Sequence, residues 1–420
     1  MCSSKTDLII GFVVAALIGL IGGLPIPASA DTAEQVSLAE AVTIAKAHNP
    51  DFAAVSQELG IAEGQLRKAR YLSQSNFESD NEMWYRVRTN RSNSQDWRVA
   101  MKQEFEVFGQ RALRIRSASI NREEAAANLR DQTRLLVAAV KMTFYDAVRS
   151  HRRVILAQQM ADLDERLLNA ARARLDAGEV ASIDYGLAQV QFGRSKRALL
   201  EMREESRAQR SALGRILGGF LGSEPAPAEE ASRTEVSLDL SALGASARRT
   251  RPDLRARQLE VARLEAEAIL NGRLNLPNVI IGTFVGHESN TEHLFGPSIG
   301  LSVPLFNRRS AEAAIIEAQR RQAQARLRAT DLDVGRQVRD GLNQYRTAFE
   351  ALAIYQQQVI APAREIVSLH ERAFHEGKID LFRFSFAERE SFDAQAGYIE
   401  AQFGVDAAAV ALELATGGVL

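Results

Sequence analysis

The stretch Ser302–Glu312, SVPLFNRRSAE, begins like a strand and ends like a helix. Pro304 cannot donate a ladder hydrogen bond, so strand pairing stops near it. An arginine pair follows, and then a helix-forming run. Glu104–Arg114, EFEVFGQRALR, makes the same change earlier in the chain, with Phe108 matching Phe306. Other landmarks repeat at a nearly constant separation. Pro50 and Glu63 of NPDFAAVSQELGIAEGQLRKA match Pro252 and Glu265 of RPDLRARQLEVARLEAEAILN. Gly178 of ARLDAGEVASID matches Gly377 of AFHEGKIDLFR. The chain therefore reads as two copies of one unit. A Gly-, Pro- and acid-rich divider, 218–237, separates a first repeat, 31–217, from a second, 238–420.

Each unit reads helix, two strands, long helix, glycine turn, helix. From Arg111 to Asp176 there is no Gly or Pro. A helix of that span is roughly 100 Å long, more than a globular core requires. Val55, Leu59, Ala62, Leu66 and Ala69 step by four and three, as do Ala126, Leu129, Thr133, Leu136, Val140, Thr143 and Ala147. That spacing is a coiled-coil seam. The strands are expected at about 76–107 and 278–305. Trp97, Val99, Met101, Phe105 and Val107 alternate with Asp96, Arg98, Lys102, Glu104 and Glu106. Val279, Ile281 and Val285 precede a polar loop, GHESNTEHLFG, and Phe295 at its end is followed by Ile299, Leu301 and Val303 in alternation. Period-two alternation gives a two-faced sheet. Two readings fit: hairpins packed on a helical domain, or strands crossing a membrane. The strands are about as long as a tilted crossing, roughly 9–11 residues. Four strands cannot close a barrel, so the membrane reading requires several chains to share one.

The 420 residues are 46% hydrophobic and 25% charged, with a formal net charge of -1. Nucleic acid is not expected as a partner, because phosphate binding needs a basic excess. Residues 1–30 read as a secretory signal: Lys5, an apolar run, and ASA at Ala28–Ala30. The only cysteine, Cys2, would leave with it, so disulfides and thiolate sites are not expected. No phosphate-binding glycine loop, zinc-protease motif or nucleophile elbow occurs. The six histidines are His48, His151, His287, His293, His370 and His375, and none forms an i, i+4 pair. His287 and His293 fall in the polar loop, where an ordinary loop is the expectation. No metal, cofactor or catalytic residue is expected.

Signal, tandem halves, paired strands, long helices and glycine turns together resemble the TolC family of outer-membrane efflux proteins over the whole mature chain. FGQRALRIRSA and PLFNRRSAEAAI are similar to its heavy-metal, CzcC-like branch. The resemblance implies a mainly α homotrimer with an α-barrel tunnel and a shared twelve-stranded β-barrel. It implies passive exit of metal cations or drugs from an inner-membrane pump, of resistance-nodulation-division type, through a periplasmic adaptor. The alternatives are a secreted coiled-coil scaffold or the outer component of type I protein secretion. At the tip turns (about 174–184 and 373–383) it implies an entrance gate and adaptor contact. Gly178 and Gly377 would turn the chain, and Asp184 would form a ring of carboxylates. Arg174 and Lys378 would be contact residues. Arg383 stands where a second acid would be, and an Asp184–Arg383 pair is one consequence. Phe108, Gly109, Pro304 and Phe306 would form the joins between barrel and helices, with Arg308 and Arg309 beside lipid head groups.

Overall fold

The computed structural model describes residues 35–72, 76–84, 94–178, 182–228, 238–288, 292–303, 308–376 and 378–418. The expected signal, Pro304, Phe306 and Gly377 lie outside these residues. The first half runs β1 (Gln35–Val36), α1 (Leu38–His48), α2 (Pro50–Arg70), β2 (Asn76–Trp84), β3 (Ser94–Phe105), α3 (Gln110–Asp176), α4 (Ser182–Ile216) and β4 (Ala226–Pro227). The second runs α5 (Leu240–Thr250), α6 (Pro252–Arg273), β5 (Asn278–Glu288), β6 (Glu292–Ser302), α7 (Ser310–Ile354), α8 (Ala361–His375) and α9 (Leu381–Thr416).

α3 is a single helix of 67 residues, roughly 100 Å at 1.5 Å per residue. Its counterpart is not continuous. A π-helical turn, Tyr355–Ile360, separates α7 from α8. Pro362, at the start of α8, has no N–H to give the preceding turn, and its ring crowds the carbonyl four residues back. Widening the turn relieves both problems. Gly397 of α9 leaves room for the Tyr355 ring, since a Cβ there would lie 2.5 Å from it.

Both halves fix the entry to their second helix by the same device. Asn49 caps α2 by accepting from the Phe52 N–H at 2.9 Å, and its Nδ2 donates to the Ile216 carbonyl at the end of α4 (2.9 Å). Arg251 stands at the corresponding cap of α6, and its Nη1 donates to the Ala415 carbonyl near the end of α9 (3.1 Å). Each side chain therefore satisfies a carbonyl that a helix end leaves open. Arg251 is only 4% exposed and forks onto Asp253 at 2.6 and 3.0 Å.

The core sits where these joins meet the long helices. Val140, Phe144, Ala147, Leu213, Leu217 and Val410 form one cluster with α1. Leu342, Tyr345, Phe349, Val405, Ala409 and Leu412 form another between α7 and α9. Within the expected α3 seam, Val140 and Ala147 are fully buried, while Thr133 and Thr143 are only partly so. The expected linker holds a strand: β4 pairs in parallel with β1, and Ala228 N–H donates to the Val36 carbonyl (2.9 Å).

The longer strands form one antiparallel sheet, ordered β2-β3-β5-β6. The loop expected around His287 and His293 is shorter than the sequence suggested. The ladder continues through His287↔His293 to Glu288↔Glu292. Every added rung pairs backbone groups that a loop would leave to water, so polar residues are carried into the strands.

Candidate functional site: the sheet face and the helical tip

Register decides what each face of the sheet presents. Val99, Val285 and Phe295 share one row, Gln103, Ile281 and Ile299 another, and Phe105, Val279 and Leu301 a third. These rows lie on one face, because side chains alternate. That face is apolar and open: Ile281 and Val285 are 49% exposed, Ile299 80% and Phe295 85%. Arg98, Lys102 and Glu104 fall on the opposite face, beside Gly282, Gly286, Gly296 and Gly300. One face thus suits lipid and the other suits water. β2 and β6 are the sheet's outer strands within the chain.

The first join is built by Gly109 and Gln110. Gly109, at φ +80, caps α3 in a left-handed conformation that penalises side chains. Gln110 is fully buried; its Oε1 accepts from the Phe108 N–H (2.9 Å) and its Nε2 donates to Asn278 Oδ1 (3.0 Å). Asn278 in turn donates to Glu104 Oε1 (2.8 Å). Arg114 pairs with Glu106 and donates to the Tyr71 carbonyl. This network clamps strand to helix, and the sequence reading did not single out Gln110. In the second half the left-handed cap is Arg309, at φ 49. As a left-handed helix cap, the counterpart of Gly109 is therefore Arg309. The reason is that the helix cap, rather than the strand end, demands the left-handed residue.

At the far end of α3, Gly178 (φ +76) donates its N–H to the Leu175 carbonyl (2.9 Å) and ends the helix. Asp184 lies exposed in the first turn of α4, where a carboxylate complements the helix dipole. At the second turn Lys378 N–H donates to the Ala373 carbonyl (2.8 Å), and its ammonium meets Glu376 at 2.6 Å. Asp380 caps α9, accepting from the Arg383 N–H at 2.7 Å. Arg174 stands 5.4 Å over the Phe374 ring, which stacks on Phe384 at 5.2 Å.

Arg174, Asp184 and Arg383 line one cavity of about 760 Å³, together with Asp164 and Arg389. Asp184 and Arg383 share its wall without an ion pair among the described residues, so the pairing that the sequence suggested does not form within the chain. Asp164 is 4% exposed, and Arg389 stands 3.8 Å from it. Nearby on α9, Glu388 is pushed above the ordinary carboxylate range by burial and then by Glu371, against Arg166. Sequence reading missed Asp164, Arg389 and the Phe374–Phe384 stack. The aromatic run at 382–386 was the available signal.

A sheet with one lipid-suited face and two outer strands, carried on long helices of which α3 alone runs roughly 100 Å, defines a membrane-seated duct completed by further copies of the chain. Among the described residues no helix is long and apolar enough to cross a membrane. The chain belongs to the outer membrane efflux protein family, whose model matches twice, over residues 41–219 and 243–418. It is 24% identical to the cobalt-zinc-cadmium resistance protein CzcC of Cupriavidus metallidurans over 383 residues, covering 88% of this chain and 87% of that one. Its fold is similar to a membrane protein from Pseudomonas aeruginosa (TM-score 0.77, 18% identity, 91% of this chain and 90% of that one). It is also similar to the CmeC outer membrane channel of Campylobacter jejuni (TM-score 0.79, 12% identity, 91% and 85%). The chain is an outer-membrane efflux channel of a tripartite system, a trimeric α-barrel tunnel joined to a β-barrel. It works with an adaptor and an inner-membrane pump. The scaffold reading falls with this assignment.

Proposed function

We propose that this duct exports divalent heavy-metal cations delivered by a resistance-nodulation-division pump. The observation that carries the reading is the similarity to a cobalt-zinc-cadmium resistance protein along 88% of this chain. The duct is passive, and the pump supplies the energy. Residues 1–30 are removed on export. The two tip turns form the entrance. Asp184, repeated in each chain of a trimer, gives the entrance a negative ring that concentrates cations. Arg174 and Lys378 meet the adaptor, while Arg383 keeps the second turn from adding to that ring. Phe108, Gly109, Pro304 and Phe306 form the joins between barrel and tunnel, with Arg308 and Arg309 at the periplasmic membrane surface.

The decisive experiment is a deletion strain exposed to cobalt, zinc, cadmium and common drugs, with and without this chain. Restored resistance to the three metals alone is the expected result. Restored drug resistance, or restored protein export, would overturn the cargo assignment. For the gate, Asp184→Ala should raise resting conductance of the trimer in a planar bilayer and lower its cation selectivity. Unchanged values of both would remove Asp184 from the entrance.

A further inference from the structure

His287 and His293 are separated in sequence, yet the ladder sets them opposite each other on β5 and β6. They stand near the β5–β6 turn, at the end of the sheet away from α6 and α7. Their ring centres are 5.2 Å apart, and the rings are tilted by 47° rather than stacked. Two imidazoles on one tetrahedral cation, with metal–nitrogen bonds of about 2.0–2.1 Å, hold their centres about 5 Å apart. The pair therefore has the separation that a shared ion requires. His287 Nδ1 is buried and has no hydrogen-bond partner among the described residues. A buried polar atom without a partner is costly, and a bound cation would satisfy it. The neighbouring row on this face is Val99, Val285 and Phe295, so no basic side chain there competes for the rings.

We propose that His287 and His293 together bind a divalent first-row transition-metal cation at the outer rim of the sheet. Imidazole suits copper, zinc and nickel, and copper(II) binds most tightly in the usual order. Magnesium and calcium prefer oxygen ligands and are not taken. Two protein ligands leave the remaining positions to water, so the ion is exchangeable. The site is complete within one chain and lies far along the sequence from the tip turns. It does not rest on the cargo proposed above.

The test uses the full chain as a detergent-solubilised trimer, purified without a polyhistidine tag, with copper(II) as the probe and zinc(II) as competitor. The expected result is one copper(II) per chain, an electron paramagnetic resonance spectrum with two nitrogen couplings, and displacement by zinc. His287→Ala and His293→Ala should each weaken binding at least tenfold. The double variant keeps His48, His151, His370 and His375 and sets the background. Wild-type binding no stronger than this background would overturn the proposal. Should a variant fail to assemble, the wild-type spectrum decides alone: oxygen-only ligation, or nitrogen coupling from a single imidazole, refutes the pair.

Discussion

Replacing Ile299 by lysine tests which face of the sheet meets lipid. Ile299 is 80% exposed and shares a row with Ile281 and Gln103. It lies two residues from Pro297, the middle of β6. At about 3.4 Å per residue and a tilt of about 40°, that is about 5 Å from the centre of the membrane layer. A lysine costs about 2–4 kcal/mol at the midplane and about 0–1 at the interface, so the expected cost here is about 2 kcal/mol per chain. Three chains make it about 6 kcal/mol for a trimer, a large share of an ordinary folding free energy. The control is Gly300→Lys, one residue on and on the opposite face. A Cβ at Gly300 comes no closer than 3.8 Å to its nearest neighbour, Ile280 Cβ. The assay is urea unfolding of the protein folded into lipid vesicles, read by retention of the gel-stable trimer. Ile299→Lys should unfold at clearly lower urea, while Gly300→Lys stays near wild type. Equal losses in the two variants, or a greater loss for Gly300→Lys, would refute the assignment of the faces.

Arg251→Ala should cost about 3 kcal/mol, at the low end for a broken buried ion pair, because Asp253 keeps some access to water. Burial raises the Asp253 carboxyl, but Arg251 and Arg134 more than offset it, so it lies below its usual range. That contribution is complete above the unfolded value of about 3.9 and is lost as pH falls through the lowered folded value. The gap between wild type and Arg251→Met, followed by urea titration, should therefore narrow below about pH 4; a constant gap would show that the pair is not the source. At the joins, Arg309→Gly should stabilise by up to about 1 kcal/mol, because a side chain in the left-handed region is penalised. Gly109→Val should destabilise by about 1–2 kcal/mol through the backbone alone, since nothing lies within 4 Å of a Cβ there. Thermal unfolding of both variants checks the pair, and the same sign of shift in both would contradict the left-handed caps.

Periodicity made the helices and the sheet faces legible, because one face of each element must be apolar wherever it is buried or lipid-facing. The repeat was legible through Pro50 and Pro252, which mark equivalent helix starts. Features set by single backbone positions were harder to see. Arg309 carries no sequence signal for a positive φ, whereas Gly109 does. Pro362 was a readable warning of the break between α7 and α8, since a proline inside a helix disturbs the turn before it. Cross-strand partners were the least legible. His287 and His293 meet only because the ladder runs to its last rungs, and register depends on turn length rather than on either histidine. At the tip, the cavity gathers Asp164 with Arg389 from helices far apart in sequence, and no local pattern encodes that meeting.

The two parts of the chain have different conditions for stability. The helical clusters are complete within one chain: Phe144 with Leu213 and Val410, and Leu342 with Leu412, are fully or almost fully buried without a partner. The sheet is not complete, because β2 and β6 each have a neighbour on one side only within the chain. Each unpaired backbone group in hydrocarbon costs several kcal/mol, and an outer strand of 11 residues presents several of them. Their sum exceeds the roughly 5–15 kcal/mol that holds a typical domain folded. The sheet therefore cannot enter lipid alone, whereas the helices can pack in water before assembly. Helix packing first, with barrel closure and insertion coupled to trimer formation, is the order that avoids this cost. Weakening the helical joins, as in Arg251→Ala, should then reduce the supply of assembly-competent chains. Ile299→Lys should leave that supply intact and act only at the step where the sheets join in lipid.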